Sequence, residues 1–158
     1  MEQFDPNAYL DLPIDVPLEK RPPLPVGDYV ATVKDLTARQ WQSKDKYNAD
    51  GSLKSGIAYD VQLELQIPEA VRVVSGLTQE TLTLKDGIMV DMLPGGGGID
   101  TAPGKNGQLR RYREALDMNK AGESFRPRAM VGRLIKVRVK HELYQDAIQE
   151  RVDSVSKI

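Results

Sequence analysis

Apolar and polar positions alternate with a period of two along several parts of this chain, a pattern that predicts half-buried β-strands. The most regular example lies at 132–141, where the apolar face consists of Ile135, Val137 and Val139. The opposite face of this strand, here called the basic strand, consists of Lys136, Arg138 and Lys140. Such a face either binds an anionic partner or is the solvated outer side of an antiparallel sheet.

The same alternation, interrupted by Gly, Pro and Asp-Gly turn signals, predicts further strands. They fall at Gly27–Gln40, Ile57–Ile67, Val71–Val74, Thr81–Met92, Met130–Leu143 and Arg151–Val155. A polar loop at Ser43–Gly56 joins the first two strands, and Thr81–Met92 is predicted to be a hairpin that turns at Asp86-Gly87.

Helical spacing replaces the alternation at Asn106–Met118, where Leu109, Tyr112 and Leu116 recur on one side and Asn106 is a candidate N-cap. The predicted fold class is therefore mainly β with one helix, placed before the last two strands. This order is typical of a small OB-like barrel, which we assign to residues 27–158 as a single domain.

Residues 1–26 are predicted to form an extended, proline-rich, acidic arm. They contain six prolines, too many for a helix or a central strand, and their five acidic residues outnumber Lys20 and Arg21. The arm also carries large apolar side chains, namely Phe4, Tyr9, Leu10, Leu12, Ile14, Val16 and Leu18. A purely disordered tail would lack these side chains, so we expect the arm to dock on its own domain or on a partner.

Charge is segregated along the chain although the total is nearly balanced, with 22 Lys and Arg against 23 Asp and Glu. Between Thr101 and Lys140, eleven Lys and Arg accompany only three Asp and Glu. Seven of the eleven are Arg, whose guanidinium binds phosphates in a bidentate manner and stacks on bases. This distribution predicts a basic surface on an otherwise acidic body.

Several kinds of site are not supported by the sequence. The chain has no cysteine and a single histidine, His141, which leaves no thiol nucleophile, thiolate metal site or multi-histidine centre. The glycines of 95–98 and Gly104-Lys105 lack the spacing of a phosphate loop, and Asn106 stands where Ser or Thr is required. No catalytic residue, cofactor or metal is predicted. Without a leader-like start or a run of about 20 apolar residues, we expect a cytoplasmic protein that avoids membranes.

The candidate nucleic-acid-binding residues combine the cations with two aromatic residues that lie outside apolar runs, Trp41 and Phe125. Bases stack on such rings in proteins that bind single strands, while neighbouring cations hold the backbone. The cationic candidates are Lys136, Arg138, Lys140, Arg110, Arg111, Arg113, Arg126 and Arg128.

The order of segments resembles a family. The start at Pro25–Ala31, the strand at Tyr59–Ile67, the helix at Leu109–Leu116 and the segment Met130–Val137 are similar to small bacteriophage OB-fold proteins that bind single-stranded DNA. The resemblance covers Pro25 to Ile158. It implies a protein of phage replication or recombination that acts in the host cytoplasm.

We therefore expect binding of single-stranded DNA without strong sequence preference. Two alternatives remain open at this stage. In the first, the chain is a phage virion or assembly protein whose arm straps it to another subunit or to other phage proteins. In the second, it inhibits a host enzyme.

Overall fold

The computed structural model describes residues 3–158. Its strands are β1 (Gly27–Tyr47), β2 (Leu53–Gln66), β3 (Thr81–Val90), β4 (Leu134–Tyr144) and β5 (Ala147–Ser156). They form one antiparallel sheet in the order β3-β2-β1-β4-β5. The mainly β class predicted from the alternation is confirmed, and the sheet is open, with β3 and β5 at its two edges.

The core lies on one face of the sheet, where the alternating apolar residues of all strands meet. Ala31, on the central strand β1, lies opposite Leu65 of β2 and Ile135 of β4, and all three are fully buried. This row shows that the basic strand has its apolar face in the core, as its period of two requires. Its Lys and Arg side chains consequently belong to the outer face of the sheet.

A β-bulge at Lys34 changes which residues of β1 face the core. Val33 lies opposite Leu63, but Asp35 lies opposite Gln62, so Lys34 is one extra residue in the ladder. Before the bulge, odd-numbered residues of β1 face the core, and after it even-numbered residues do. The bulge thereby moves Trp41 to the outer face, the same side of the sheet as the basic strand.

Strands β1 and β2 are longer than predicted, because both extend into the segment expected to be a polar loop, with an irregular register between Gln42 and Tyr47. Trp41 lies opposite Gly56, and the pairing ends at Tyr47 and Leu53. The connection is a short turn in which the side chain of Asp50 accepts hydrogen bonds from the amide and hydroxyl of Ser52. The polar side chains of this hairpin occupy strand positions that have no core beneath them.

Two sequence-based predictions are wrong. The segment Val71–Val74 lies in a helix, α1 (Glu69–Ser75), which ends where Gly76 adopts a left-handed conformation with φ of 80° and donates to the Arg72 carbonyl. The expected turn at Asp86-Gly87 is absent, since β3 continues through it and Gly87 pairs with Asp60. The apolar alternation keeps its phase across both residues, which is incompatible with a reversal of the chain.

The predicted helix at 106–118 is α2 (Gly107–Ala115), so the described residues contain two α-helices and not one. Helix α2 lies between the two sheet edges and contacts both β3 and β5. Gln108 accepts a hydrogen bond from the Met89 amide and donates one to the Gly87 carbonyl, which are bonds that a neighbouring strand would make. Its side chain therefore covers part of the β3 edge.

A second contact ties α2 to β3 through a buried pair. The Tyr112 hydroxyl donates to Asp86 Oδ2 at 2.5 Å. Burial raises the pKa of the Asp86 carboxyl, and burial together with the Asp86 charge raises the pKa of Tyr112. The hydrogen bond compensates part of the cost of burying both groups beneath the helix.

The arm is exposed from residue 3 to residue 23 and is anchored at its end. It contains one 3₁₀ turn, Pro6–Asp11, where an extended chain was expected. Asp5 begins this turn by accepting a hydrogen bond from the Asn7 amide, and proline is favourable at the first helical position. The turn carries no buried residue.

The anchor is Leu24, which is fully buried and held by groups of β4 and β5. Its amide donates to Glu150 Oε1 at 2.9 Å, and its carbonyl lies 2.6 Å from His141 Nε2. Arg21 also pairs with Glu150. Burial alone would raise the pKa of Glu150, but the bonds from Arg21 and from the Leu24 amide hold that pKa below its ordinary value. The end of the arm thus docks on its own domain.

Candidate nucleic-acid interface

A groove lies where the β1–β2 hairpin extends past the end of β3. Pairing between β2 and β3 stops at Ile57 and Val90, so the rest of the hairpin has an open side. A groove of about 940 Å³ occupies this place. It is lined by the hairpin residues Ala38, Arg39, Gln40, Trp41, Asn48, Ser55, Gly56 and Ile57, and across from them by Val90–Gly96.

Trp41 lies directly across Gly56 inside this groove. A Cβ placed on Gly56 would be 2.8 Å from the indole Nε1 and 3.0 Å from two further ring atoms. Glycine is thus required at position 56 for the ring to lie where it does. The Nε1 atom is buried and has no hydrogen-bond partner. A buried N–H without an acceptor is unfavourable.

Next to Trp41, a row of three charged side chains, Arg39, Asp60 and Lys85, crosses the outer face of the sheet. Arg39 Nε donates to both oxygens of Asp60, at 3.0 and 3.2 Å, and Lys85 Nζ lies 3.6 Å from Asp60 Oδ2. Asp60 is nearly buried, whereas half or more of each cationic side chain is exposed. Two cations share this carboxylate, while the Asp91 carboxylate also lines the groove, so these four groups together carry no net charge.

The far wall of the groove is a second, smaller hairpin, here called the glycine hairpin, spanning residues 91–100. Met92 pairs with Ile99, and the Leu93 amide donates to the Gly98 carbonyl at 2.8 Å. At its tip, Gly95 and Gly96 adopt left-handed conformations with φ of 78° and 76°. Such conformations leave backbone amides accessible, which suits close approach of an anion.

Asn106 fixes the base of the glycine hairpin. Its side-chain amide accepts a hydrogen bond from the Asp91 amide and donates to the carbonyls of Asp91 and Asp100. In return, Asp91 Oδ2 accepts a hydrogen bond from the Asn106 amide at 2.7 Å. Asn106 stands at the N-cap position of α2, as predicted, but its side chain bonds the hairpin and makes no capping bond to the helix.

The cationic side chains of the basic strand lie on the outer face of the sheet, and two of the three form ion pairs. Arg138 lies 3.3 Å from Asp28, and Lys140 lies 3.1 Å from Glu142. Lys136 makes no ion pair within residues 3–158. These exposed pairs contribute little to stability, so their cations can exchange a carboxylate for a phosphate at small cost.

The remaining candidates do not lie with Trp41 in the groove. Arg110 pairs with Glu114 on the same helix, and Arg111 points along the gap between α2 and β5. The Arg113 guanidinium lies 4.3 Å from the centre of the Phe125 ring and donates to the Met118 carbonyl. Phe125 itself packs against the core cluster. Arg113 and Phe125 therefore form a packing contact with each other.

Arg126 and Arg128 line a separate hollow of about 350 Å³. Its other walls are Leu36, Thr37, Ala38, Tyr59 and Pro127. Ala38 also borders the main groove, so the hollow is adjacent to it. These two arginines consequently approach the hairpin from a different side than Trp41 and Arg39 do.

Sequence reasoning missed Arg39, Asp60 and Gly56. A signal for Arg39 was available, because residues 39 and 41 share one face of any strand. No comparable signal existed for Asp60 and Gly56, since their roles depend on the register between β1 and β2.

No protein-family model matches this chain, and no curated protein sequence matches it. Within residues 3–158, no three His, Asp or Glu side chains come together in a set that could hold a metal ion. None of the helices in that same range has the length and apolar character needed to cross a bilayer.

Proposed function

We propose that this protein binds single-stranded DNA without strong sequence preference, with the groove at Trp41 as the centre of the site. The observation that carries the proposal is the indole of Trp41, which lies in an open groove beside Arg39 with a buried N–H that has no acceptor. Single-strand binders stack bases on aromatic side chains and hold the backbone with nearby cations.

The topology supports an OB-type barrel for this function. In the order β3-β2-β1-β4-β5, β3 and β5 are the two edges, and α2 lies against both. A five-stranded, partly open barrel of this kind binds oligonucleotides across strands 2 and 3 and the neighbouring loops. The groove here lies at the ends of β2 and β3 and next to the β1–β2 connection.

The charges supply the sequence-independent part of the proposed binding. The bulge at Lys34 places Arg39 and Trp41 on the outer side of the sheet, together with Lys136, Arg138 and Lys140. A DNA strand that crosses the outer side of the sheet meets cations near both ends of β1 and the indole ring of Trp41 in the groove. Release of counterions from the phosphates would then contribute to affinity.

The resemblance of the sequence to phage proteins is the basis on which we propose a role in phage replication or recombination. A second candidate function, an assembly role, is favoured by one observation. The apolar side chains of the arm are exposed, as Leu10 and Leu18 at 81% and 83% illustrate. An arm of this kind fits a structural subunit as well as it fits a DNA-binding protein.

Titration with an oligothymidine strand at low salt tests the proposal. Since the chain has one tryptophan, quenching of its emission reports on the groove directly. Trp41→Ala should weaken binding by about 1 to 3 kcal/mol, while Tyr9→Ala, an exposed aromatic in the arm, should leave it unchanged. Duplex of equal length should bind more weakly. If the wild-type protein ignores single strands at low salt, the proposed function is wrong and the assembly role becomes the better explanation.

A further inference from the structure

Part of the arm has the alternating pattern of a β-strand but belongs to no strand of the sheet. Between residues 12 and 18, apolar and polar or proline residues alternate strictly; the apolar set is Leu12, Ile14, Val16 and Leu18. All four are exposed, from 57% to 83%. An extended segment with one fully apolar face is expected to bury that face against another surface.

The two prolines of this segment leave one of its backbone edges free to pair. In an extended strand, N–H and C=O groups of alternate residues point to opposite edges. Pro13 and Pro17 remove donors from one edge, whereas Ile14, Val16 and Leu18 keep theirs on the other. The segment can therefore add to a sheet on one side, and its prolines block a further strand on the other.

The chain itself presents a matching edge at the start of β5. Gln145 and Asp146 both have positive φ, which defines a two-residue hairpin turn between β4 and β5. In such a hairpin Tyr144 and Ala147 exchange backbone bonds, so the backbone of Ile148 and Glu150 is directed to the open edge. Helix α2 lies against Val152–Lys157 further along β5 and leaves this part uncovered.

Side chains around this edge complement the arm. Leu143 and Ile148 lie opposite one another and are exposed at 78% and 53%. Lys140 and Arg151 both contact Glu142, so two cations share one carboxylate beside the edge. Residues 3–19 of the arm contain four carboxylates and no Lys or Arg.

The anchor at Leu24 bears on whether the arm adds to the β5 edge of its own chain or to that of a second copy of the chain. Leu24 is bound to Glu150 and His141 of its own chain, so the arm leaves the domain next to the β5 edge. Three residues span at most about 11 Å, so Leu18 remains close to Arg21. In the structure the arm does not return to its own sheet. Two copies with their β5 edges side by side would each offer an edge to the other's arm.

From these observations we infer that the protein forms a two-fold dimer by exchange of arms. Residues 12–18 of each copy add as a strand to β5 of the other at Ile148–Glu150, and their apolar side chains pack on Leu143 and Ile148. The occupant of the edge is a second copy of this chain, because both complementary surfaces belong to this chain and its own arm leaves its own edge uncovered.

Sedimentation of the full chain without DNA tests this inference. Two variants each remove one side of the contact. The arm variant combines Leu12→Ser, Ile14→Ser, Val16→Ser and Leu18→Ser, and the edge variant is Ile148→Lys. Val74→Lys is the matched control, since it places the same charge at an apolar residue of α1 that is 87% exposed. Truncation is less suitable, because removal of Leu24 would damage the core.

The wild-type protein and Val74→Lys should sediment as dimers, and each of the two variants alone as a monomer. A mixture of the arm variant and the edge variant should form a heterodimer, because one intact arm then meets one intact edge. A wild-type protein that stays monomeric at all concentrations overturns the inference. So does a dimer that survives either variant, or a mixture that does not associate. None of these measurements involves DNA, so they succeed or fail independently of the proposed function.

Discussion

The indole of Trp41 occupies the space that a side chain on Gly56 would need, with only 2.8 Å between Nε1 and the position of a Cβ. Gly56→Ala should therefore displace the ring from the groove without removing it. We expect a loss of affinity for oligothymidine similar to that of Trp41→Ala, about 1 to 3 kcal/mol, and a shift in tryptophan emission before any DNA is added. Gly107→Ala is the control, because no atom lies within 4 Å of its Cβ position, its φ is not positive and it lies at the start of α2, outside the groove. Unchanged emission in Gly56→Ala would show that the ring is not held against this glycine.

Asp60→Asn should change stability and DNA affinity in opposite directions. The buried carboxylate holds Arg39 and Lys85, and its loss should lower the free energy of unfolding by about 1 to 3 kcal/mol. The two released cations should bind phosphates more tightly, so affinity at low salt should rise. Urea unfolding and titration measure the two effects. Glu64→Gln, which removes the partner of the exposed Lys34, should have a smaller effect on stability. A weaker affinity in Asp60→Asn would place the bound strand elsewhere.

The salt dependence of binding should report the number of phosphates contacted. With about four to six contacts, log affinity should fall against log salt with a slope of roughly −3 to −4, at about 0.7 counterions released per contact on single strands. Lys136→Gln should make the slope less steep by about 0.7, because this cation has no carboxylate partner to begin with. Lys20→Gln, in the arm, should not change the slope. An identical slope in wild type and Lys136→Gln would show that the basic strand is not part of the DNA-binding site.

Acid should release the end of the arm. The pKa of Glu150 is lowered in the folded protein, so its interactions with Arg21 and Leu24 stabilise the fold fully above the ordinary value of 4.5. This stabilisation is lost as the pH falls through the lower folded-state pKa. The protection of the Leu24 amide against hydrogen exchange, relative to the intrinsic exchange rate at each pH, should fall in that range. In Glu150→Gln the same loss of protection should already be present at neutral pH, and equal protection of the two proteins there would contradict the assignment.

Gln108→Ala should destabilise the edge of β3. The Met89 amide and the Gly87 carbonyl would each lose a hydrogen-bond partner, at a cost of about 1 to 2 kcal/mol in the free energy of unfolding. Exchange of the Met89 amide should become faster than that of amides within β2. Arg110→Ala serves as the control, since it removes an exposed pair on the same helix. If exchange at Met89 is unaffected, another group covers the edge.

The sequence predicts the strands of the core well, because burial on one side imposes a period of two that is visible without any structure. Ile135, Val137 and Val139 illustrate this, as all three are fully buried. The prediction fails at Asp86-Gly87, where the local turn signal conflicts with an apolar period that continues without interruption. It also fails at Val71–Val74, where a capping glycine after the segment outweighs the strand preference of the valines.

The groove was harder to predict, since it depends on the register between β1 and β2 and not on the pattern of apolar and polar residues along the chain. Trp41 was singled out from sequence, but the glycine that accommodates it is fifteen positions away and becomes its neighbour only through pairing of β1 with β2. The bulge at Lys34 did leave a trace: the residues that pack in the core are odd-numbered at Ala31 and Val33, and the next one, Leu36, is even-numbered. This change of phase could have placed Trp41 on the outer face. The contact between Arg113 and Phe125 left no such trace.

The bonds from Asn106 to both ends of the glycine hairpin separate the stability of the groove from the time for which it holds a bound DNA strand, two properties that are usually coupled. The base of the hairpin shares the cooperative stability of the sheet, because it is attached to Asn106 at the N-cap of α2. The four-glycine tip has no contact with the core, so changes in its length or composition should scarcely affect the melting temperature. What they should affect is the residence time of a bound strand. The tip could therefore be varied to adjust dissociation rates while the rest of the molecule stays the same.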